Sequence, residues 1–188
     1  VAMTLLVGLV ACASLQQYLA LTQVAFSLDR VSDARLAGVP LARIGNYRDL
    51  SPRDVAQVVA TLGSGTAPFE LTIDVGATNP ADNRTDARLT QLDWLLLLDG
   101  RETVRGVIDS GYVLPAGTPV TIPVRIRLDL REFFSGGIEE IVNLAAGFAG
   151  LRSDPTRVTL ELMPRIETPL GGLTPPRPIR ITGTAPQR

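Results

Sequence analysis

Apolar residues fall at every second position over two long stretches, and that period sets the fold class. Phe69, Leu71, Ile73 and Val75 alternate with Glu70, Thr72 and Asp74, and Asn79-Pro80 stops the run. Further on, Val120, Ile122, Val124, Ile126, Leu128 and Leu130 face one way, and Thr121, Pro123, Arg125, Arg127 and Asp129 face the other. A period of two puts successive side chains on opposite faces of a sheet, so both stretches predict strands with one buried face. Pro123 has no N–H to give to a ladder, which places the second strand at a sheet edge or beside a bulge.

The remaining segments fit the same plan. Val24, Phe26 and Leu28 begin a first strand, and Leu36 to Ile44, with Gly38 and Pro40, reads as an edge strand or extended connection. Leu89 to Leu98 is a dense apolar run containing Trp94; its four consecutive leucines argue for burial on both faces or a bulge. Asp99-Gly100 is a strong hairpin signal, with Glu102 to Ile108 as the return strand. Thr156 to Ile166 and Ile179 to Thr182 are the last two strands, joined by the Pro- and Gly-rich stretch Leu170 to Pro178.

Two helices interrupt the strands. Ser51 is a cap, Pro52 suits the first helical position, and Asp54 sits where a carboxylate meets free amides. Val55, Val58, Val59 and Leu62 form one apolar face, which Gly63 ends. Arg131 to Leu151 is a second helix, with Ile138, Ile141, Val142, Ala145 and Phe148 on one face and a break at Gly136-Gly137. About seven short strands, hairpin-linked, with two inserted helices predict a mainly-β antiparallel sandwich.

Composition narrows the chemistry. The 188 residues suffice for one domain with a real core, and 45% apolar with 20% charged residues is ordinary for a folded chain. A formal charge of −1 gives no strong field toward nucleic acid. There is no histidine, so serine–histidine and cysteine–histidine nucleophile pairs are excluded, and one cysteine builds neither a disulfide within the chain nor a cysteine zinc site. The expectation is a protein that is not an enzyme and carries no cofactor or metal.

The first charged residue is Asp29. A transmembrane anchor needs about 20 apolar residues, but Gln16, Gln17, Tyr18, Thr22 and Gln23 interrupt the second half of this stretch. The shorter apolar part fits the core of a signal peptide. Leu9-Val10-Ala11-Cys12 resembles a bacterial lipobox, with Leu9, Val10 and Ala11 as the signal-peptidase recognition residues and Cys12 as the lipidated residue. Val1-Ala2-Met3-Thr4 lacks the basic n-region of such signals. That implies either truncation at the start or an alternative initiation codon. An uncleaved anchor and a buried structural segment remain the competing readings. On the lipoprotein reading, residues 1–11 are signal peptide, 12–22 a lipid-anchored tether, and 23–188 the domain. Ala13 lacks the Asp that favours inner-membrane retention, so the expected place is the bacterial outer membrane, facing the periplasm.

The succession FELTIDVGATNP, then LDWLLLLDGRETVRGVIDSGYVLPAGTPVTIPVRIRLDL, resembles the late embryogenesis abundant type 2 family, also called the WHy (water stress and hypersensitive response) domain. The likeness covers about residues 65 to 183. Its motif residues here are Asn79-Pro80, the turn at Asp99-Gly100 followed by Gly106 or Gly111, and Leu114 to Val124 with Pro115, Gly117 and Pro123. Two points depart from the pattern: the helical insertions near 51–62 and 131–150, and Ala81 where many members carry a second Asn. The resemblance implies a fibronectin-III/immunoglobulin-like sandwich, a link to desiccation, osmotic or other stress, and no catalytic residues. Bacterial members with an N-terminal lipobox are a familiar arrangement.

Other candidate constellations have plain structural readings. Asn79, Asp82, Asn83, Asp86 and Asp93 cluster but do not match an EF-hand loop, so a solvated turn is expected. Arg101, Arg105, Arg125, Arg127 and Arg131 lack interleaved aromatics, which suits a solvated strand face better than a nucleic-acid groove. Gly63-Ser64-Gly65 reads as a helix exit, Glu139-Glu140 as unpaired helix carboxylates, and Trp94 as core. Two functions follow as expectations. One is a lipid-anchored protective or binding module with protein clients. The other is an assembly subunit of an envelope transport or secretion complex that uses its sheet edges.

Overall fold

In a computed structural model, residues 16, 18–83, 85–98, 100–152, 157–168 and 171–184 are described. The strands are β1 (Ala25–Leu36), β2 (Val39–Pro40), β3 (Pro68–Thr78), β4 (Ala87–Leu89), β5 (Gln91–Leu98), β6 (Arg101–Ile108), β7 (Tyr112–Leu114), β8 (Pro119–Asp129), β9 (Arg157–Thr168), β10 (Gly171–Leu173) and β11 (Ile179–Thr184). The helices are α1 (Pro52–Gly63) and α2 (Ile138–Phe148), and residues 18–22 form a helical turn.

Two antiparallel sheets face each other. The first runs β2-β1-β3-β8, and in the second β6, β5 and β9 are neighbours, with β11 and β10 on different stretches of β9. β1 lies against β11 and β8 against β6, so the edges of the two sheets align. In a constant-type immunoglobulin domain the fourth strand joins the first sheet. Here β6 pairs with β5 in the second sheet instead. The result is a split of β1-β3-β8 against β6-β5-β9-β11, a fibronectin-III-like sandwich.

The periodicity is realised residue by residue. Phe69, Ile73, Val75, Ile122, Val124 and Ile126 of the first sheet meet Leu92, Leu96, Leu160 and Leu162 of the second, all almost fully buried. Pro123 sits opposite Asp74 on β8, which pairs only with β3 and is therefore an edge strand. The leucine run keeps strict alternation on β5, and the irregularity falls on its partner: between Leu96 and Leu97 the ladder steps from Val104 to Glu102, leaving Thr103 extra. β1 is longer than its visible alternation because two bulges, around Asp29 and around Asp33-Ala34, reset its pattern.

Both helices close one end of the sandwich. β3 begins at Pro68 where β8 ends at Asp129; α1 leads into the first and α2 follows the second. Asp129 Oδ1 accepts from the backbone N–H of Ala67 (2.7 Å) and of Arg131 (2.9 Å), tying the start of β3 to the end of β8. Phe148 of α2 packs on Phe69, with ring centroids 6.1 Å apart, and roofs the core. The start of α1 is as its sequence predicts, with Ser51 and Asp54 forming a reciprocal capping box ahead of Pro52. Val58 and Leu62 are buried, whereas Val59 is half exposed.

The expected helix over 131–151 is shorter than its pattern. Residues Leu130–Glu132 form a 3-10 turn, and the α-helix begins only at Ile138. Gly136-Gly137 delays the start, and the Glu140 carboxylate accepts from the Gly137 N–H (2.6 Å) to cap it. At the opposite end of the sandwich the chain comes in through residues 18–22. Ala20 and Leu21 are buried at 1% and 2% exposure. The folded body thus reaches back into the stretch expected to be tether.

Candidate functional site

Leu9, Val10, Ala11 and Cys12, the expected processing and lipidation residues, lie outside the described residues, as does Asp99 of the β5–β6 turn. Among the described residues no helix is long and apolar enough to cross a membrane.

The sequence motifs at 79–80 and 114–123 converge on one node. Asn79 ends β3 fully buried, and an amide there must satisfy both its donors and its acceptor within the protein. Its Nδ2 donates to the carbonyls of Thr85 (3.1 Å) and Leu114 (2.9 Å), and its Oδ1 accepts from Asn83 Nδ2 (2.8 Å). The Asn79 carbonyl in turn accepts from Gly117 N–H (2.9 Å), and Asn79 bridges Ala116. Asn83 Nδ2 also reaches the carbonyl of Ala20 (3.4 Å). Through its side chain Asn79 thereby holds Asn83, Thr85 and β7 to the end of β3, and through its backbone carbonyl the Pro115–Gly117 turn.

Glycine is needed at two of the remaining turn positions of the motif. Gly117 has φ +72° and Gly100 has φ +81°, a region that costs a side chain about 1–2 kcal/mol. Pro80 is half-buried after the node, and Pro115 supplies the carbonyl for Thr118 N–H (3.3 Å). All of these hold turns or an edge; none shares a cleft with a second reactive group.

The candidate ligand residues are spent in the same way. Asn79 and Asn83 use their amides in the node. Among the described residues no three Asp or Glu side chains gather around a common point. Glu140 caps α2, and Ser64 Oγ donates to the Thr61 carbonyl at the exit of α1. The arginines do not build a stripe: Arg127 pairs with Glu70 (3.3 Å) and Arg105 with Glu102 (3.2 Å), both well exposed. Exposed pairs of this kind contribute roughly 0–1 kcal/mol.

One concave feature among the described residues lies on the outer face of the second sheet. A groove of about 480 Å³ crosses β6, β5 and β9 there. Its apolar lining comes from Leu95, Val107, Met163 and Pro178, and its polar rim from Gln91, Asp93, Arg105 and Glu161. Gln91 Nε2 donates to Asp93 Oδ1 (2.6 Å), and Arg180 Nε donates to Glu161 Oε1 (2.6 Å). Of these contacts only Arg180–Glu161 is an ion pair, so Asp93 keeps its charge on the rim while the floor is apolar. Trp94 packs as core at 8% exposure, while part of its ring also borders the groove.

Sequence reasoning did not single out the groove. Its one legible trace is the leucine run, whose alternate members Leu95 and Leu97 fall on the outward face, half-buried. Met163 and Glu161 come from β9, far along the chain, and only strand pairing brings Met163 opposite Asp93 and Glu161 opposite Leu95.

No family model matches the sequence. No curated protein matches it. Among solved structures, the crystal structure of a protein from Archaeoglobus fulgidus is similar at 15% identity, covering 86% of this chain and 100% of that one, with a TM-score of 0.38.

Proposed function

We propose that this protein is a lipid-anchored, non-catalytic binding module of the bacterial cell envelope, a member of the late embryogenesis abundant type 2 (WHy) group that protects clients when water is withdrawn. Cys12 carries the lipid on this reading, and the domain faces the periplasm from the outer membrane. The observation that supports it is the groove on the outer sheet face, apolar at Leu95, Val107 and Met163. A floor of that kind takes up exposed apolar segments of other proteins without chemistry. Deleting the gene should lower survival of drying and osmotic shock, with restoration by the intact chain. Survival equal to the parent strain under both stresses would remove the protective role.

A second reading has its own support in the sheet edges. β8 carries Pro119 and Pro123, and β1 carries two bulges with Asp29 and Asp33, all devices that discourage pairing. β6 has no proline, and beyond Thr103 it runs unbroken to Ile108. An assembly subunit of an envelope complex would add a partner strand at β6. Cross-linking in native membranes separates the two readings: one stoichiometric partner fits the assembly subunit, and a diffuse set fits the protective module.

A further inference from the structure

The end of the sandwich where the chain comes in is built differently from the helical end. Cys12 lies six positions before Tyr18, a span of at most about 20 Å for an extended chain. From residue 18 onward the chain is fastened to the body. Ala20 and Leu21 are buried, and Asn83 holds the Ala20 carbonyl. β3 and β8 are 11 residues each, about 35 Å from end to end at their usual rise. A membrane attachment at Cys12, or between Cys12 and Tyr18, is therefore shorter than the body it holds, and keeps this near end beside the bilayer.

Two exposed apolar side chains sit at that end. Leu19 is 49% exposed and Val113 is 51% exposed. The hydrogen-bonded chain Ala20–Asn83–Asn79–Leu114 joins their immediate neighbours, so both side chains lie at the same end of the sandwich. Each follows a half-buried tyrosine, Tyr18 and Tyr112. An aromatic ring with a polar tip beside an aliphatic side chain suits the water–lipid boundary. Among the described residues, Asp82, Asp86 and Asp109 are exposed in the loops of this end, against Arg88 and, in the loop before β11, Arg177. That balance gives anionic headgroups no advantage.

We propose that the near end is a membrane-contact surface for a zwitterionic bilayer, with Leu19 and Val113 entering the interfacial layer and Tyr18 and Tyr112 at headgroup level. The domain stands on the bilayer, helical end outward, and does not swing on a long tether. This inference rests on the membrane attachment proposed above, in either its lipidated or its uncleaved form.

The test uses the full chain purified from membranes and reconstituted in phosphatidylcholine vesicles containing doxyl-labelled lipid. Leu19→Cys, Val113→Cys and Val59→Cys variants each carry one bimane fluorophore at the introduced cysteine, and if Cys12 is found unmodified the three are made on a Cys12→Ser background so that no second site is labelled. Quenching at positions 19 and 113 should exceed that at position 59, on the helical end, at least twofold. It should not rise when phosphatidylglycerol is added. Equal quenching at all three positions, or strengthening by phosphatidylglycerol, would overturn the proposal. Intact mass of the same samples reports separately on Cys12: an unmodified thiol ends the lipoprotein reading, while the quenching pattern still decides the contact surface.

Discussion

The indole of Trp94 occupies the space that a side chain at position 106 would fill, directly across the β5–β6 ladder from Gly106. Even a methyl group at 106 meets the ring, and the ring has core on its other side. Gly106→Ala should therefore lower stability by about 1–3 kcal/mol through overpacking, and Gly106→Val by more. Urea denaturation followed by fluorescence is well suited to the measurement, because Trp94 is the sole tryptophan. An unchanged midpoint for Gly106→Ala would mean that the ring turns away without penalty.

Asn79 should prove the most sensitive polar position. Asn79→Ala leaves the Thr85 and Leu114 carbonyls without this donor and the Asn83 amide with the Ala20 carbonyl alone, at about 1–3 kcal/mol for the buried Leu114 carbonyl and less for the half-buried groups. Asn79→Asp keeps the shape but turns an acceptor toward two carbonyls, so it should be destabilising as well. Asp82→Ala, in the exposed part of the same turn, should stay within about 0.5 kcal/mol. Thermal or urea unfolding of the three variants checks this order.

The helix caps give a smaller, graded effect. Ser51→Ala removes the acceptor for the Asp54 N–H (3.2 Å) and the donor to its carboxylate, for about 1 kcal/mol. Replacing Glu140, which caps the glycine-led start of α2, should cost a similar amount. Neither change touches the groove, so stress rescue by these variants should remain at the level of the intact chain.

Groove substitutions should behave in the opposite way. Leu95→Arg and Met163→Arg place charge on the half-buried outer face while leaving the inter-sheet core intact. Unfolding midpoints should shift little, and survival of drying in a complemented deletion strain should fall to that of the deletion. Full rescue by both variants would move the client surface elsewhere.

Calcium should leave the protein unchanged. The amides of Asn79 and Asn83 are already engaged with each other and with backbone carbonyls. Millimolar calcium should therefore shift Tm by less than about 1 °C, since only a ligand that binds the folded state stabilises it.

Much of the sandwich is legible in local pattern, because strand periodicity is a property of neighbouring residues. The β3 and β8 alternations, the edge position of Pro123, the Gly100 turn and the Ser51 cap all follow from short stretches. Strands that the pattern misses are short or irregular. β4, β7 and β10 have three residues each, too few for a period, and the bulges of β1 shift its phase. The pattern over 131–151 overstates the helix, because its residues before Ile138 lie ahead of the glycines that hold back the helical start. Asn79 is legible as a turn residue, but its role as a node depends on Ala20, Asn83 and Leu114 meeting in space. The groove has the same origin, since its walls come from strands that are distant in sequence.

The first and last strands meet at the edge of the sandwich, where Gly183 packs against Leu28. A chain delivered from its N-terminus thus holds one half of this closure long before the other half is made. Until β11 arrives, β9 has β5 on one side but is unpaired on the other over residues 157–162, and the second sheet is incomplete. Pairings between strands so distant in sequence are intrinsically among the slower ones to form. The order of the strands therefore leaves this edge of the sandwich open until the last strand is in place.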